Sequence, residues 1–261
     1  MRYMPRVMVI VLDGASFVFT NTFIWDMDDA RELWHRNHRC MMYIDEPPIT
    51  PAVLTSMFTG KPTCEHGVKG FRTLEKPGII AGEYRGKYIW DELEERGFVC
   101  KVINVPVKIP PVYRRVDIHR FNWVDCWLPP KDRFLPVVTR FHNVVCDYAK
   151  RDWDLFVVWY PIPDQAHHHF FQTIDSDQKL REACFWYNLA FKFAKELIEL
   201  GRPTHWLIVS DHGFTSDFEE YWADGIRQHV HIRDGLTLSN IKDLPDRPRK
   251  VYHWIKRRFR L

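Results

Sequence analysis

The chain has 261 residues, of which 46% are hydrophobic and 27% are charged, and its formal net charge is +3. This length accommodates a substantial core, and so small a net charge gives no argument for nucleic-acid binding by itself. The six cysteines form no Cys-x-x-Cys pair, and several lie inside apolar runs. We interpret them as reduced thiols and expect an intracellular, cytoplasmic protein.

The first apolar run, Val7–Leu12, is too short to span a membrane and is closed by Asp13. We therefore expect neither a signal peptide nor a membrane anchor. A continuous β-branched run of this kind is typical of a central parallel strand covered on both faces. Asp13 and Gly14 would then lie at the carboxyl end of that strand, where open α/β sheets place their chemistry. An aspartate that merely starts a turn is the alternative.

A short amphipathic helix is predicted over residues 28–37 and a second apolar strand over residues 40–44. Residues 49–60 are predicted to form a helix in which Thr50 is the N-cap and Pro51 is the first helical residue. The Thr50 hydroxyl would then lie at the positive end of a helix dipole, beside free backbone N–H groups. That is a site for a phosphoryl or sulfuryl group, and an ordinary cap is the alternative.

The remaining elements are also predicted from apolar periodicity and from Gly and Pro boundaries. The predicted helices are 88–96, 135–150 and 177–200, the last of them stopped by Gly201, and the predicted strands are 98–105, 155–160, 206–209 and 236–238. Strands that alternate with helices predict a layered α/β domain. We interpret residues 108–133, which are rich in Trp and Pro, as an insertion or lid rather than a second domain.

Three apolar strands are followed by acidic or histidine-rich turns, at Asp13, at Asp164 with the histidines after it, and at Asp211-His212. Mixed carboxylate and imidazole ligands suit zinc, manganese or iron better than calcium. Asp164 and His168 stand four apart and would reach one ion if that turn is helical. Asp211 and His212 are adjacent, so both would bind only if the turn bends or if there are two ions.

The order of these motifs resembles the type I phosphodiesterase and nucleotide pyrophosphatase branch of the alkaline phosphatase superfamily. The resemblance rests on these matches: Asp13, Thr50-Pro51-Ala52, Thr59-Gly60, His66-Gly67, Trp90-Asp91, Val102-Ile103-Asn104-Val105-Pro106, Asp164-x-x-x-His168 and Ser210-Asp211-His212-Gly213-Phe214. It implies one catalytic domain over residues 1–261, built as a three-layer α/β/α sandwich with a mostly parallel central sheet.

The resemblance also implies a metal-dependent hydrolase with two ions, most plausibly zinc, with manganese or iron as alternatives. One ion would be held by Asp164, His168 and a distal histidine, and the other by Asp13, Thr50, Asp211 and His212. His231 fits the distal position because it stands four residues before Gly235, and His229 is the second choice. The three consecutive histidines His167–His169 leave the register of His168 open by one residue.

The implied chemistry is double displacement through a phosphothreonine on Thr50, with a small phosphodiester or nucleotide as substrate. Sulfatase-like relatives need an arginine shortly after the nucleophile, and the sequence after Thr50 has none. A phosphomonoesterase would need an extra cation, for which only Lys61, Lys69 and Arg72 are candidates. A non-catalytic metal-binding protein that docks nucleic acid with its basic tail is the alternative of another class. We interpret that tail, Lys256–Arg260, as a solvated terminus.

Overall fold

The computed structural model describes residues 5–73, 79–81, 84–108, 110–121, 131–171, 174–214, 221–223, 226–228 and 231–261. The strands within these residues are β1 (Val7–Leu12), β2 (His38–Tyr43), β3 (Phe71–Thr73), β4 (Ile79–Ala81), β5 (Cys100–Val105), β6 (Val112–Arg114), β7 (Leu155–Tyr160), β8 (His205–Val209), β9 (Gly213–Phe214), β10 (Tyr221–Ala223), β11 (Ile226–Gln228), β12 (His231–Ile232) and β13 (Asp234–Ser239).

The main sheet of the described chain has seven strands in the order β2-β13-β8-β1-β7-β5-β6. Its middle strands β8, β1, β7 and β5 run parallel to one another. The flanking strands are antiparallel: β13 lies between β2 and β8, and β6 pairs with β5. The predicted mostly parallel central sheet is therefore confirmed.

The helices of the described chain are α1 (Phe17–Thr22), α2 (Asp28–Arg36), α3 (Thr50–Thr59), α4 (Thr63–His66), α5 (Ile89–Glu94), α6 (Phe134–Ala149), α7 (Asp164–Ala166), α8 (Asp177–Gly201) and α9 (Pro248–Arg258). Helix α7 continues into a π-helical turn, His167–Phe171. Among the residues described, no helix is both long enough and apolar enough to cross a membrane.

Two hydrophobic cores lie on opposite faces of the main sheet. Alternate side chains of a strand point to opposite faces, so Met8 and Ile10 of β1 join one core while Val7 and Val9 join the other. The first core includes buried residues of α2, α6 and α8, and the second includes buried residues of α3, α5 and α9. This packing is the predicted three-layer α/β/α sandwich.

Helix α8 ends one residue later than predicted and for a different reason. Gly201 is its last helical residue, and the left-handed residue that terminates the helix is Arg202, with φ 46°. A Cβ atom on Gly201 would lie 2.6 Å from Cε of Met8. Gly201 therefore packs closely against the Met8 side chain of β1, which would have to shift for a larger residue, whereas the sequence prediction assigned this glycine to termination.

The prediction of a solvated or frayed C-terminal tail is wrong in part, because Phe259 is buried and the Arg258 side chain is only 13% exposed, whereas Arg257 and Arg260 are exposed. Residues 248–258 form the amphipathic helix α9, in which Val251, Trp254 and Ile255 are buried in the core on the α3 face of the sheet. These positions recur at three- and four-residue spacing, which places them on one face of a helix. Arg257 is exposed, whereas Arg258 lies beside Trp254, with its guanidinium carbon 4.7 Å from the ring centroid.

The insertion predicted over residues 108–133 is partly integrated into the main body. Strand β6 extends the main sheet beside β5, and Phe121 packs against Phe141 and Tyr148 with ring centroids 5.6 and 5.8 Å away. Residues 109 and 122–130, which include Trp123 and Trp127, lie outside the described residues. The idea of a lid formed by those residues stays a prediction.

Candidate metal centre and nucleophile

Three of the parallel strands bring acidic side chains to one edge of the sheet. Asp13 directly follows β1, Asp211 stands just beyond β8, and Asp164 begins α7 shortly after β7. Backbone hydrogen bonds join these turns, because the N–H of Asp164 donates to the carbonyl of Asp13 at 2.9 Å and the N–H of Gly14 donates to Oδ1 of Asp211 at 3.3 Å. The convergence expected from the sequence is present in the fold.

One set of ligand atoms, the inner group, consists of Asp13, Asp211 and His212. Nε2 of His212 lies 3.3 Å from Oδ1 of Asp13 and 3.7 Å from Oδ2 of Asp211. All three residues are at most 2% exposed. The turn after β8 therefore bends enough for two adjacent residues to face the same point, which was one of the two arrangements the sequence left open.

A second set, the outer group, consists of Asp164, His168 and His231. Oδ1 of Asp164 lies 3.3 Å from Nε2 of His231 and 3.5 Å from Nε2 of His168. The helical turn after β7 supplies the four-residue spacing of Asp164 and His168. The two groups adjoin, since Nε2 of His212 is 3.7 Å from Oδ1 of Asp164.

Backbone carbonyls orient two of the imidazoles. Nδ1 of His212 lies 3.2 Å from the carbonyl oxygen of Gly213, and Nδ1 of His231 lies 3.0 Å from that of Pro48. A carbonyl only accepts, so each Nδ1 carries the proton and donates it, and each Nε2 presents a lone pair to the site. Carbonyl partners of this kind fix the tautomer of metal-ligating histidines.

The buried acids strongly disfavour being charged together. Burial raises the pKa of Asp13 well above its usual range, and the carboxylates of Asp211 and Asp164 raise it further. Burial also opposes ionisation of Asp164, but the imidazoles of His168 and then His231 outweigh it and hold the pKa of Asp164 well below its usual range. Burial lowers the pKa of His212 to about 4, so this side chain is neutral at pH 7, the form that binds metals.

Unpaired buried atoms show that these residues fit divalent ions. Among the described residues, Oδ1 of Asp164, Oδ2 of Asp211 and Nε2 of His212 are buried without a hydrogen-bond partner. Such groups are normally satisfied by a partner, water or an ion. A positive ion in each group would satisfy these atoms and offset the clustered negative charge. Oxygen and imidazole ligands suit zinc, manganese or iron.

Thr50 lies against the inner group, as the sequence predicts. It is buried at the start of α3, and its hydroxyl donates to Oδ1 of Asp13 at 3.4 Å. Further along α3, the hydroxyls of Thr55 and Thr59 each donate to the carbonyl four residues earlier, at 2.6 Å. Of these helix hydroxyls, Thr50 alone is bonded to a residue of the inner group.

The start of α3 corrects the predicted cap by one residue. Ile49 is the N-cap, Thr50 is already helical, and Pro51 is the second helical residue. The prediction of free N–H groups also needs correction, because Ala52 and Val53 both donate to the carbonyl of Ile49, at 2.9 and 3.1 Å. A tight first turn therefore uses these donors internally, and the Thr50 side chain is left to face Asp13.

The remaining histidines near the site have other contacts. His167 is buried and stacks on Phe214 with ring centroids 3.7 Å apart, while His169 contacts the ring of Phe134. Their placement as pocket wall leaves His168 as the member of the run that faces Asp164. His66 makes the loop-ordering hydrogen bond expected of it, since its Nδ1 accepts from the N–H of Val68 and its Nε2–H donates to Oγ of Ser56. His229 lies outside the described residues.

Asp234 was not predicted from the sequence, yet its carboxylate holds the segment that follows Asp13. Its carboxylate accepts from the hydroxyl of Ser16 and from the backbone N–H groups of Phe17 and Val18. It thereby ties the segment after Asp13 to the start of β13, close to His231. A single aspartate before a glycine gives no sequence pattern from which this role could be predicted, because the role depends on contacts between segments that are far apart in the sequence.

Comparison with known proteins identifies the family. Residues 7–257 match the type I phosphodiesterase/nucleotide pyrophosphatase family. The chain belongs to this family. Membership of the type I phosphodiesterase/nucleotide pyrophosphatase family supports a phosphoric ester hydrolase. A comparison with curated proteins gives no match.

Solved structures of several hydrolases share the fold at low identity. The murine ectonucleotide pyrophosphatase/phosphodiesterase 5, an inactive variant in complex with AMP, aligns with a TM-score of 0.63 at 11% identity over 98% of this chain and 95% of that chain. A putative sulfatase from Bacteroides thetaiotaomicron aligns at 0.61 and 10% identity over 95% and 68%. Phosphonoacetate hydrolase from Sinorhizobium meliloti, in complex with phosphonoformate, aligns at 0.57 and 16% identity over 86% of this chain and 60% of that chain.

Proposed function

We propose that this chain is a two-metal-dependent phosphodiesterase of the nucleotide pyrophosphatase type, in which Thr50 is the nucleophile and a phosphothreonine is the intermediate. The observation that carries the proposal is the position of the Thr50 hydroxyl, 3.4 Å from Oδ1 of Asp13 and beside two adjoining groups of metal-ligating atoms. Family membership supports phosphoric ester hydrolysis independently of this geometry.

Each ligand group would hold one divalent ion, with zinc as our first choice and manganese or iron as alternatives. The ligands of one ion would be Asp13, Thr50, Asp211 and His212, and those of the other would be Asp164, His168 and His231. Two ions bound side by side stabilise the negative charge on the attacking and leaving oxygens of an in-line displacement.

The chain's own residues position the nucleophile and keep its surroundings dry. Asp13 orients the Thr50 hydroxyl by accepting its hydrogen bond, and the first turn of α3 fixes the backbone of Thr50. Thr50 Oγ1 attacks phosphorus as the alcohol or phosphate leaving group departs, and water then hydrolyses the phosphothreonine. The burial of Asp13, Asp211 and His212 excludes bulk water from the side of Thr50 that faces them.

The charges around the site favour a diester over a monoester. Among the described residues, every ion-pair partner of Asp13, Asp164 and Asp211 is a histidine. Lys61 and Lys69 are exposed to solvent. The side chain of Arg72 lies outside the described part of the chain. A monoester carries one more negative charge than a diester and needs an additional cation, so we propose small phosphodiesters, including nucleotides, as the substrate class.

The ion pairs of α9 weaken the alternative of a nucleic-acid-docking tail. Arg257 and Arg258 each lie 2.9 Å from the carboxylate of Asp243, and Lys256 lies 3.4 Å from that of Glu92. These basic side chains are thus partly neutralised by acids of the same chain. A phosphate backbone would have to compete with these acids for each contact.

The test compares kcat/KM of the purified, zinc-loaded enzyme for bis(p-nitrophenyl) phosphate and for p-nitrophenyl phosphate. We expect the diester to be preferred, because among the described residues no lysine or arginine is paired with the acids of the site to meet the extra monoester charge. A strong monoester preference would make the enzyme a phosphatase or mutase-like member of the superfamily. Stoichiometric metal without turnover of either ester would favour the non-catalytic alternative.

A further inference from the structure

A separate cluster of metal-ligating side chains lies between helices α6 and α8. His142 and Cys146 stand one turn apart on α6, and Glu196 faces them from α8. Nε2 of His142 lies 2.8 Å from Oε2 of Glu196 and 3.3 Å from Sγ of Cys146. One ligand atom from each residue therefore lies within 4.8 Å of the other two.

The imidazole of His142 is held in one orientation. Its ring stacks on that of Phe193, with centroids 3.9 Å apart and an interplanar angle of 8°. Its Nδ1 lies 2.7 Å from the hydroxyl of Tyr160. Without an ion, Nε2–H donates to the Glu196 carboxylate and Nδ1 accepts from the Tyr160 hydroxyl. An ion would replace the proton on Nε2; Nδ1–H would then donate to the Tyr160 hydroxyl, and the lone pair of Nε2 would be directed between Cys146 and Glu196. A fixed partner on the distal nitrogen is the arrangement that metal-ligating histidines use.

The chemistry of the three side chains matches a zinc-class ion. A thiolate and a carboxylate together neutralise a divalent charge, and nitrogen, sulfur and oxygen ligands suit zinc or cobalt better than magnesium or calcium. Zinc–ligand bonds of about 2.0–2.3 Å place tetrahedral ligand atoms roughly 3.3–3.8 Å apart. The Nε2–Sγ separation of 3.3 Å falls in this range, whereas the 2.8 Å hydrogen bond between Nε2 and Glu196 would have to lengthen. Small movements of Glu196 and Cys146 would admit the ion.

Burial gives the cluster one open side. His142 is 2% exposed and Cys146 is 8% exposed, whereas the side chain of Glu196 is 40% exposed. An ion would therefore enter past Glu196, and water would complete its coordination. Lys192, 4.0 Å from the other oxygen of Glu196, makes only a long contact that leaves the carboxylate available.

We propose that His142, Cys146 and Glu196 form a third metal site, for zinc or a chemically similar divalent ion, separate from the inner and outer groups. The main alternative chemistry is a nucleophilic Cys146. That alternative is disfavoured because Cys146 is only 8% exposed and its Sγ lies against the His142 ring, so a substrate has little access to the sulfur. An ion here would fasten α6 to α8 beside Tyr160, the last residue of β7, which leads to Asp164.

The test is titration of the metal-free full-length protein with cobalt(II) chloride, followed by absorption spectroscopy. The inner and outer groups contain only oxygen and nitrogen ligands, so a thiolate-to-cobalt charge-transfer band in the near ultraviolet reports a cysteine ligand alone. The five cysteines that the structure describes are all free thiols: Cys40, Cys64, Cys100, Cys146 and Cys184. We expect one thiolate-bound cobalt per chain.

Variants identify the cysteine that gives rise to the charge-transfer band. Cys146→Ser should abolish it, and Cys184→Ser, which changes an equally buried thiol on α8, should leave it unchanged. Glu196→Gln alters a half-exposed side chain without threatening the fold and should weaken cobalt binding measured by this band. Tyr160→Phe removes only the partner of Nδ1 and should weaken it by about tenfold to a hundredfold.

Two results would overturn the proposal. One is the absence of a thiolate band in wild-type protein, and the other is a band that persists in Cys146→Ser. Asp164→Ala serves as a further control, because it should disrupt the outer group and leave the band intact. The charge-transfer band is measured without turnover, so its outcome is independent of the proposed hydrolase activity.

Discussion

The inner and outer groups adjoin, yet they are built differently. The ligands of the inner group directly follow β1 and β8 and are at most 2% exposed. The outer group combines the buried Asp164 with His168, whose side chain is 43% exposed, and His231, whose side chain is 19% exposed. The difference shows that strand ends fix one half of the site, whereas a π-helical turn and the two-residue strand β12 complete the other half.

This contrast has a functional consequence. Thr50 contacts the inner group, so under the proposed mechanism the more buried half of the site would position the nucleophile. The leaving group would then depart through the more exposed half. Variants in the two halves should therefore differ in the size of their effect and in the kinetic quantity that changes.

The largest effect is expected at Thr50. Thr50→Ala should lower kcat for a diester by about a thousandfold or more, because removal of the attacking atom leaves only binding and electrostatics. The fold and metal content should be retained, and Thr50→Ser should keep partial activity. Thr59→Ala is the matched control, since its hydroxyl bonds only to local backbone, donating to the carbonyl of Thr55 and accepting from the N–H of Lys61. Steady-state kinetics of both variants measures the change in kcat. Near-normal turnover by Thr50→Ala would refute the role of Thr50 as the nucleophile.

A somewhat smaller loss is expected at the inner group. Asp211→Ala removes a fully buried carboxylate ligand at a position that water does not reach, so we expect the inner ion to be lost and kcat/KM to fall by about a hundredfold or more. Metal content by atomic emission, measured on protein purified without chelator, checks this. Full metal occupancy with normal turnover would remove Asp211 from the ligand set.

The smallest effect is expected at the outer group, where the choice of distal histidine is tested. His231→Ala leaves Asp164 and His168 in place, so we expect metal affinity to fall by about tenfold to a hundredfold, with His229→Ala close to wild type. The Nε2 atom of His231 lies 3.3 Å from Asp164, which supports this ranking. Competition with a chromogenic zinc chelator measures it. The opposite ranking would place His229 at the outer ion instead.

Much of the fold could be predicted from local pattern. The buried parallel strands β1 and β7 are continuous apolar runs, so their position and the site edge beside them follow from the sequence. Asp13 and Asp211 are predictable for the same reason, because they end such runs. The candidate ligand set came from the family resemblance together with these strand ends.

Other features depend on tertiary contacts that no local pattern contains. The charges of α9 concealed the spacing of Val251, Trp254 and Ile255, whose burial depends on packing beside α3. Likewise, Gly201 looks like a helix stop until Met8 is placed beside it. The N-cap of α3 is Ile49 rather than the predicted Thr50, because the carbonyl of Ile49 accepts hydrogen bonds from the N–H groups of Ala52 and Val53.

The central claim is that Thr50, at the inner group, forms the covalent bond to phosphorus. The most direct measurement is an acid quench of the zinc-loaded enzyme during turnover of an aryl phosphodiester, followed by peptide mass spectrometry. The account predicts a phosphoryl adduct on Thr50. An adduct on Thr55 or Ser56, or turnover by wild type with no adduct under conditions that trap the first step, would contradict it.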